Sequence, residues 1–130
     1  MKTKSLMIAL TAVALLTVSL PAAHAYANLF SAPMHAGQWQ SKSLSLSSDP
    51  HALTRVRVDI HCMTLAYPPG DFDIYLYDQW GRRVAVSNGP GADSIDTWVR
   101  GTRCTLRIHC ARFHGTYQCS VAVENSPHAP

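Results

Sequence analysis

Residues 71–78, Asp-Phe-Asp-Ile-Tyr-Leu-Tyr-Asp, alternate with a period of two. Phe72, Ile74 and Leu76 share one face, and Asp73, Tyr75 and Tyr77 share the other. Successive side chains of a strand point to opposite faces, so this stretch reads as a half-buried β-strand. Asp78, Gln79, Trp80, Gly81 and Arg82 then supply a turn, and residues 84–87, Val-Ala-Val-Ser, supply a second strand. A chain built around such a unit is committed to antiparallel sheet.

The same period recurs elsewhere. Residues 55–62 place Val56, Val58, Ile60 and Cys62 inward, with Arg55, Arg57, Asp59 and His61 outward. Residues 102–110 place Cys104, Leu106 and Ile108 inward, with Arg103, Arg107 and His109 outward. Tyr117, Cys119, Val121 and Val123 form the inner face of a last strand, and residues 39–46 and 94–99 are weaker strand candidates. Asp49-Pro50, residues 67–70 and residues 88–93 carry turn and loop composition. After residue 25 no window has the period of an amphipathic helix. Seven short β runs separated by turn signals predict an all-β antiparallel sandwich or jelly roll over residues 38–124. Residues 26–37 contain Pro33 and Gly37 without a clear period and read as a lead-in segment. Residues 125–130 read as a flexible tail.

The first 25 residues stand apart from that domain. Lys2 and Lys4 precede an apolar run over residues 6–20, and Ala23-His24-Ala25 has the small-x-small form of a cleavage site. This is the pattern of a secretory signal peptide, and it predicts export to the periplasm or beyond, with no membrane span after cleavage. Removing it takes two of the eleven basic residues, so nine face eight acidic ones and the net charge falls from +3 to +1. A nucleic-acid partner is therefore not expected. Nothing in the sequence sets the oligomeric state.

An even count of four cysteines in an exported chain favours two disulfides. The competing reading is a metal site, because His61-Cys62 and His109-Cys110 repeat one pair. Neighbours on a strand face opposite ways, so neither pair closes on one ion. Cys104 and Cys110 lie six residues apart on one strand, roughly 20 Å at ~3.3 Å per residue, too far to bond each other. A hairpin centred near Gly115 brings Cys110 to Cys119 and leaves Cys62 for Cys104. The second pairing needs adjacent strands, and it would set Asp59 opposite Arg107.

The order of these pieces resembles the bacterial pre-peptidase C-terminal domain. The features are Trp39 on a first strand, Val56-Arg57-Val58, residues 71–78, Gly81, residues 84–87, and Gly115-Thr116-Tyr117 before Val121-Ala122-Val123. The resemblance spans about residues 36–124. It implies a β-sandwich that accompanies secreted peptidases and other hydrolases without catalysing a reaction itself; here a free-standing exported member is expected. The four cysteines, and Arg100-Gly101-Thr102-Arg103-Cys104 in place of an Ala-Gly-Thr-Tyr-like stretch, depart from the family pattern.

No catalytic constellation emerges: there is no Gly-x-Ser-x-Gly elbow, and Glu124 is the only glutamate. An enzyme is not expected, nor a cofactor. Asp71, Asp73, Asp93 and Asp96 could converge on a calcium ion, but turns and strand ends account for them more simply, so no metal is expected. Tyr75 and Tyr77, with Asp73 on the same face, are the expected binding residues. Tyrosines on a rigid sheet offer much contact area at little entropic cost, unless a loop or the N-terminal segment covers them. In collagenase members of the resembled family, similar surface tyrosines contribute to collagen binding. Arg55, Arg57, His61, Arg103, Arg107 and His109 would make a basic stripe if their two strands were neighbours; a solvated, partly paired face is the other reading. The expected function is a binding or accessory module for a protein or glycan surface. The alternative is a periplasmic inhibitor of a hydrolase such as lysozyme, presenting residues 88–93 to an enzyme's cleft.

Overall fold

The computed structural model describes residues 24–64 and 68–125. The expected signal peptide, residues 1–25, falls almost wholly outside them, as does all but the first residue of the expected tail. Eight strands follow in order: β1 (His24–His35), β2 (Trp39–Ser45), β3 (Leu53–Cys62), β4 (Asp71–Asp78), β5 (Arg83–Ser87), β6 (Asp93–Arg100), β7 (Arg103–Arg112) and β8 (His114–Asn125). They form two four-stranded sheets, β1-β8-β3-β6 and β2-β7-β4-β5. Every pairing is antiparallel. Sequence neighbours mostly alternate between the layers, which is the double Greek-key wiring of a jelly roll.

The inward residues that the alternation predicts are buried, apart from Cys62, which is half-buried. Val56, Val58, Ile60, Tyr117, Cys119, Val121 and Val123 of the first sheet meet Phe72, Ile74, Leu76, Cys104, Leu106 and Ile108 of the second. Burying each large apolar side chain stabilises by about 1.5–3 kcal/mol relative to exposure. Phe72 and Tyr117 meet edge to face across the layers, with centroids 5.7 Å apart.

Two expectations are corrected here. Residues 26–35 of the expected lead-in segment belong to a twelve-residue strand, paired along its length with β8. Phe30, Ala32 and Met34 alternate inward, but a small Ala between two larger residues, and the exposed Leu29 out of phase, blur the period. Pro33 is tolerated because β1 is an edge strand with one partner. The second correction concerns the cysteines. β3 and β7 lie in different sheets, so Asp59 faces Ser94 and Ser120 instead of Arg107. Nor do β7 and β8 form a hairpin: the chain crosses between layers at Phe113, whose φ is 61°. All four cysteines are free thiols, and the geometry proposed for Cys62 with Cys104 and for Cys110 with Cys119 is absent.

Candidate functional site

Strand register on the second sheet lays its outer face out in rows. Ser41, Arg107, Tyr75 and Val86 form one row across β2, β7, β4 and β5. Trp39, His109 and Asp73 form the next, and Ser43, Thr105, Tyr77 and Arg83 lie on the other side. Tyr75 and Tyr77 are therefore on the outer face, as expected, and both are half-buried. The N-terminal strand does not cover them, because it belongs to the other sheet.

The centre of this face is aromatic and cationic together. Trp39 stacks on His109 with centroids 4.1 Å apart and planes 19° from parallel. The Tyr75 ring lies 5.4 Å from Trp39, and the Arg107 guanidinium sits 4.5 Å from the Trp39 centroid. Such contacts hold flat side chains in one orientation before any partner arrives. Trp39 still exposes 43 % of its surface. Sequence reasoning treated Trp39 only as a strand marker. Its parity with Ser41, Ser43 and Ser45 was the available signal, since residues that share a strand's polar parity share its outer face.

Beside the stack runs an open groove of about 450 Å³, lined by Ser43, Tyr77, Gln79, Arg103, Thr105 and Arg107. Gln79 is fixed there: its Oε1 accepts from the Thr102 amide at 2.8 Å and from the Thr102 hydroxyl at 3.0 Å. Gly101, at φ 117°, allows this approach, for an added Cβ would lie 2.7 Å from that oxygen. The turn after β4 is held by Asp78, whose carboxylate accepts from the backbone N–H groups of Trp80 and Arg82 and from Arg82 Nε at 2.9–3.0 Å.

Asp73 shares the outer parity of Tyr75 but is only 7 % exposed, so little of it is presented on the outer surface of the sheet. β5 ends at Ser87, opposite Ile74, and the chain then crosses to β6 past Asp73. Asp71, Asp73 and Asp93 converge there, one carboxylate oxygen from each lying within 4.8 Å of the others. Burial, and after it the charges of Asp71 and Asp93, push the Asp73 carboxyl up to about 6. Burial also raises Asp93, against hydrogen bonds from Ser87, Asp73 and the Gly89 backbone. Asp96 does not join them. It sits on the outside of the first sheet, where Arg55 donates to it at 3.0 and 2.8 Å.

The basic stripe is likewise divided, with Arg55, Arg57 and His61 on one sheet and Arg103, Arg107 and His109 on the other. Three of the four thiols are not poised as nucleophiles. Burial pushes Cys104 and Cys119 up to about 12 and also raises Cys110, whereas a reactive thiolate needs the opposite shift. Among the described residues no helix is long and apolar enough to cross a membrane.

No protein-family profile matches this sequence, and neither does any curated protein. Solved structures do share the fold. The periplasmic inhibitor of g-type lysozyme from Aeromonas hydrophila, PliG, superposes with a TM-score of 0.52 at 11 % identity, covering 78 % of this chain and 88 % of that one. The pre-peptidase C-terminal domain of the Bacillus anthracis collagenase gives 0.44 at 14 % identity over 68 % of this chain and 90 % of that one. A disulfide-linked pilus protein of Bacillus endospore appendages gives 0.47 at 11 % identity over 82 % and 91 %. At these identities the likeness concerns the fold alone.

Proposed function

We propose that this chain is an exported, non-catalytic binding module that holds a protein or polysaccharide surface against the outer face of its second sheet. The observation that carries this reading is the stack of Trp39, His109, Tyr75 and Arg107, next to a groove bearing Arg103 and Tyr77. Aromatic and arginine side chains dominate the energetics of recognition, and rings already held by neighbours lose little freedom on binding. Capture from culture supernatant, read by mass spectrometry and followed by a glycan array, tests it. Trp39→Ala combined with Tyr75→Ala should cost about 10- to 100-fold in retention of whatever the native protein captures. Arg55→Ala, on the opposite sheet, should cost nothing measurable. Equal capture by the double variant would defeat the reading.

A second reading, inhibition of a hydrolase, draws on the likeness to PliG, which extends over most of both chains. In that case the contact would be the exposed loop at residues 88–92, entering an enzyme's cleft. A lysozyme lysis assay against goose-type and chicken-type enzymes separates the two. Inhibition lost on shortening that loop, but kept in the Trp39 and Tyr75 variant, would favour the inhibitor.

A further inference from the structure

The cluster of Asp71, Asp73 and Asp93 is not explained by the binding face. β4 supplies Asp71 and Asp73, and the first residue of β6 supplies Asp93, so the group spans the crossing from the second sheet to the first. Asp73 and Asp93 are 7 % and 6 % exposed. One oxygen of each carboxylate (Asp71 Oδ1, Asp73 Oδ1 and Asp93 Oδ2) is buried and has no hydrogen-bond partner. Buried acceptors are normally satisfied, and three orphans on three neighbouring acids call for a positive partner. The described residues do not supply one. The groups acting on Asp73 and Asp93 are each other, Asp71, Ser87 and the Gly89 backbone. Of the basic residues opposite them on β7, His109 is stacked on Trp39 and Arg112 is exposed.

We propose that Asp71, Asp73 and Asp93 bind one calcium ion, which ties β4 to the start of β6. The donors are all oxygens, the set a hard cation prefers, with none of the nitrogen or sulfur ligands that select zinc. The three oxygens lie within 4.8 Å of one another, close enough to share one ion at metal–oxygen distances of about 2.4 Å. Magnesium demands near-ideal octahedral geometry, keeps several of its waters and usually takes only one or two carboxylates, so three protein carboxylates suit calcium better. Three carboxylates leave room in a sphere of six to eight for water and for chain oxygens of the 87–93 crossing. This inference does not depend on what the outer face binds.

Calorimetric titration of the chelator-treated protein with calcium chloride near neutral pH tests it directly. The expected result is one ion per chain, with Kd between about 10⁻⁴ and 10⁻³ M as in extracellular modules, and a thermal midpoint raised by several degrees. Asp73→Asn and Asp93→Asn should each abolish the response. Both relieve carboxylate repulsion, so without calcium they should melt no lower than the native chain. The loss of binding is then not a loss of fold. Absence of heat and of any midpoint shift up to about 10 mM calcium would overturn the site, leaving Asp73 and Asp93 as a pair sharing a proton. A response retained in both variants would place the ion elsewhere and overturn it equally. An equal response to magnesium would overturn the assignment to calcium.

Discussion

β3 and β7 present nearly the same outer face in sequence, Arg55 and Arg57 on one, Arg103 and Arg107 on the other, yet the two faces of the sandwich have become different surfaces. On the first sheet β6 and β8 flank β3 and bring acids. Arg55 meets Asp96 at 2.8 Å, and Arg57 meets Glu124 at 3.9 Å. On the second sheet β2 and β4 flank β7 and bring Trp39, Ser41, Tyr75 and Tyr77. Arg107 lies on a ring, and among the described residues it forms no ion pair. The first face compensates its own charge. The second keeps cationic charge beside aromatic area, a combination suited to an external partner. Neighbours, and not the strand itself, decide what an outward arginine does.

The largest test concerns the space between the sheets. The partition into layers puts Cys62 opposite Tyr117 in the first sheet and Cys110 opposite Phe72 in the second. Those two aromatic rings touch across the core, and Cys62 contributes to the raised titration of Cys110. An oxidised protein should therefore carry one linkage, Cys62 to Cys110, joining the layers. Cys104 and Cys119 should stay reduced. With both thiols pushed up to about 12, their thiolate fraction at pH 8 is on the order of 10⁻⁴. A thiol reagent should modify them about 10³-fold more slowly in the native protein than in urea. Peptide mapping that found Cys62 joined to Cys104 would break this arrangement, because Cys104 lies near the opposite end of β7 from Cys110.

The cysteines also show where sequence reading stops. Alternation over β3, β4, β7 and β8 fixes which residues face inward, because a one-residue slip would expose every valine and isoleucine. It is silent about which strand lies beside which. Cys62 with Cys104 followed from assumed adjacency, and the jelly-roll wiring removes that adjacency. The same blindness left open whether Arg55 and Arg107 share one stripe. Tyr75 and Tyr77 were legible because their parity alone sets them outside. Asp73 has that parity too, but its burial comes from where β5 ends and the chain crosses over, which no local pattern encodes. β1 was missed for a third reason: an edge strand packed on one side needs few large residues, and Pro33 breaks its signature.

The next effect in size falls on the aromatic sheet alone. Asp78 is 6 % exposed and accepts three hydrogen bonds across the turn into β5. Asp78→Ala leaves two amides without their acceptor and the Arg82 guanidinium without its partner. It should destabilise by about 2–3 kcal/mol, seen as a lower urea midpoint with unchanged slope. Because β5 and the groove depend on this turn, capture by the second face should weaken too. A loss of stability with undiminished capture would separate the contact surface from β5 and confine it to Trp39, His109 and Tyr75.

The smallest effect belongs to the self-compensated face. Burial works against Asp78 ionising, yet its hydrogen bonds hold the carboxyl low; Asp96 is held low chiefly by the hydrogen bond from Arg55. A carboxyl lowered in the folded state adds stability above its unfolded pKa, about 3.9, and loses it as pH falls through the lower folded value. Asp96 and Arg55 are solvent-exposed, so salt and water screen the pair. Asp96→Asn should lower the thermal midpoint by no more than about 2 °C at neutral pH, and by less still in high salt or near pH 3. Arg107→Ala, which breaks no carboxylate contact, should show no such narrowing between pH 7 and pH 3. A pH-dependent deficit in Arg107→Ala equal to that of Asp96→Asn would mean that the second face is ion-paired after all, and the contrast between the two surfaces would collapse.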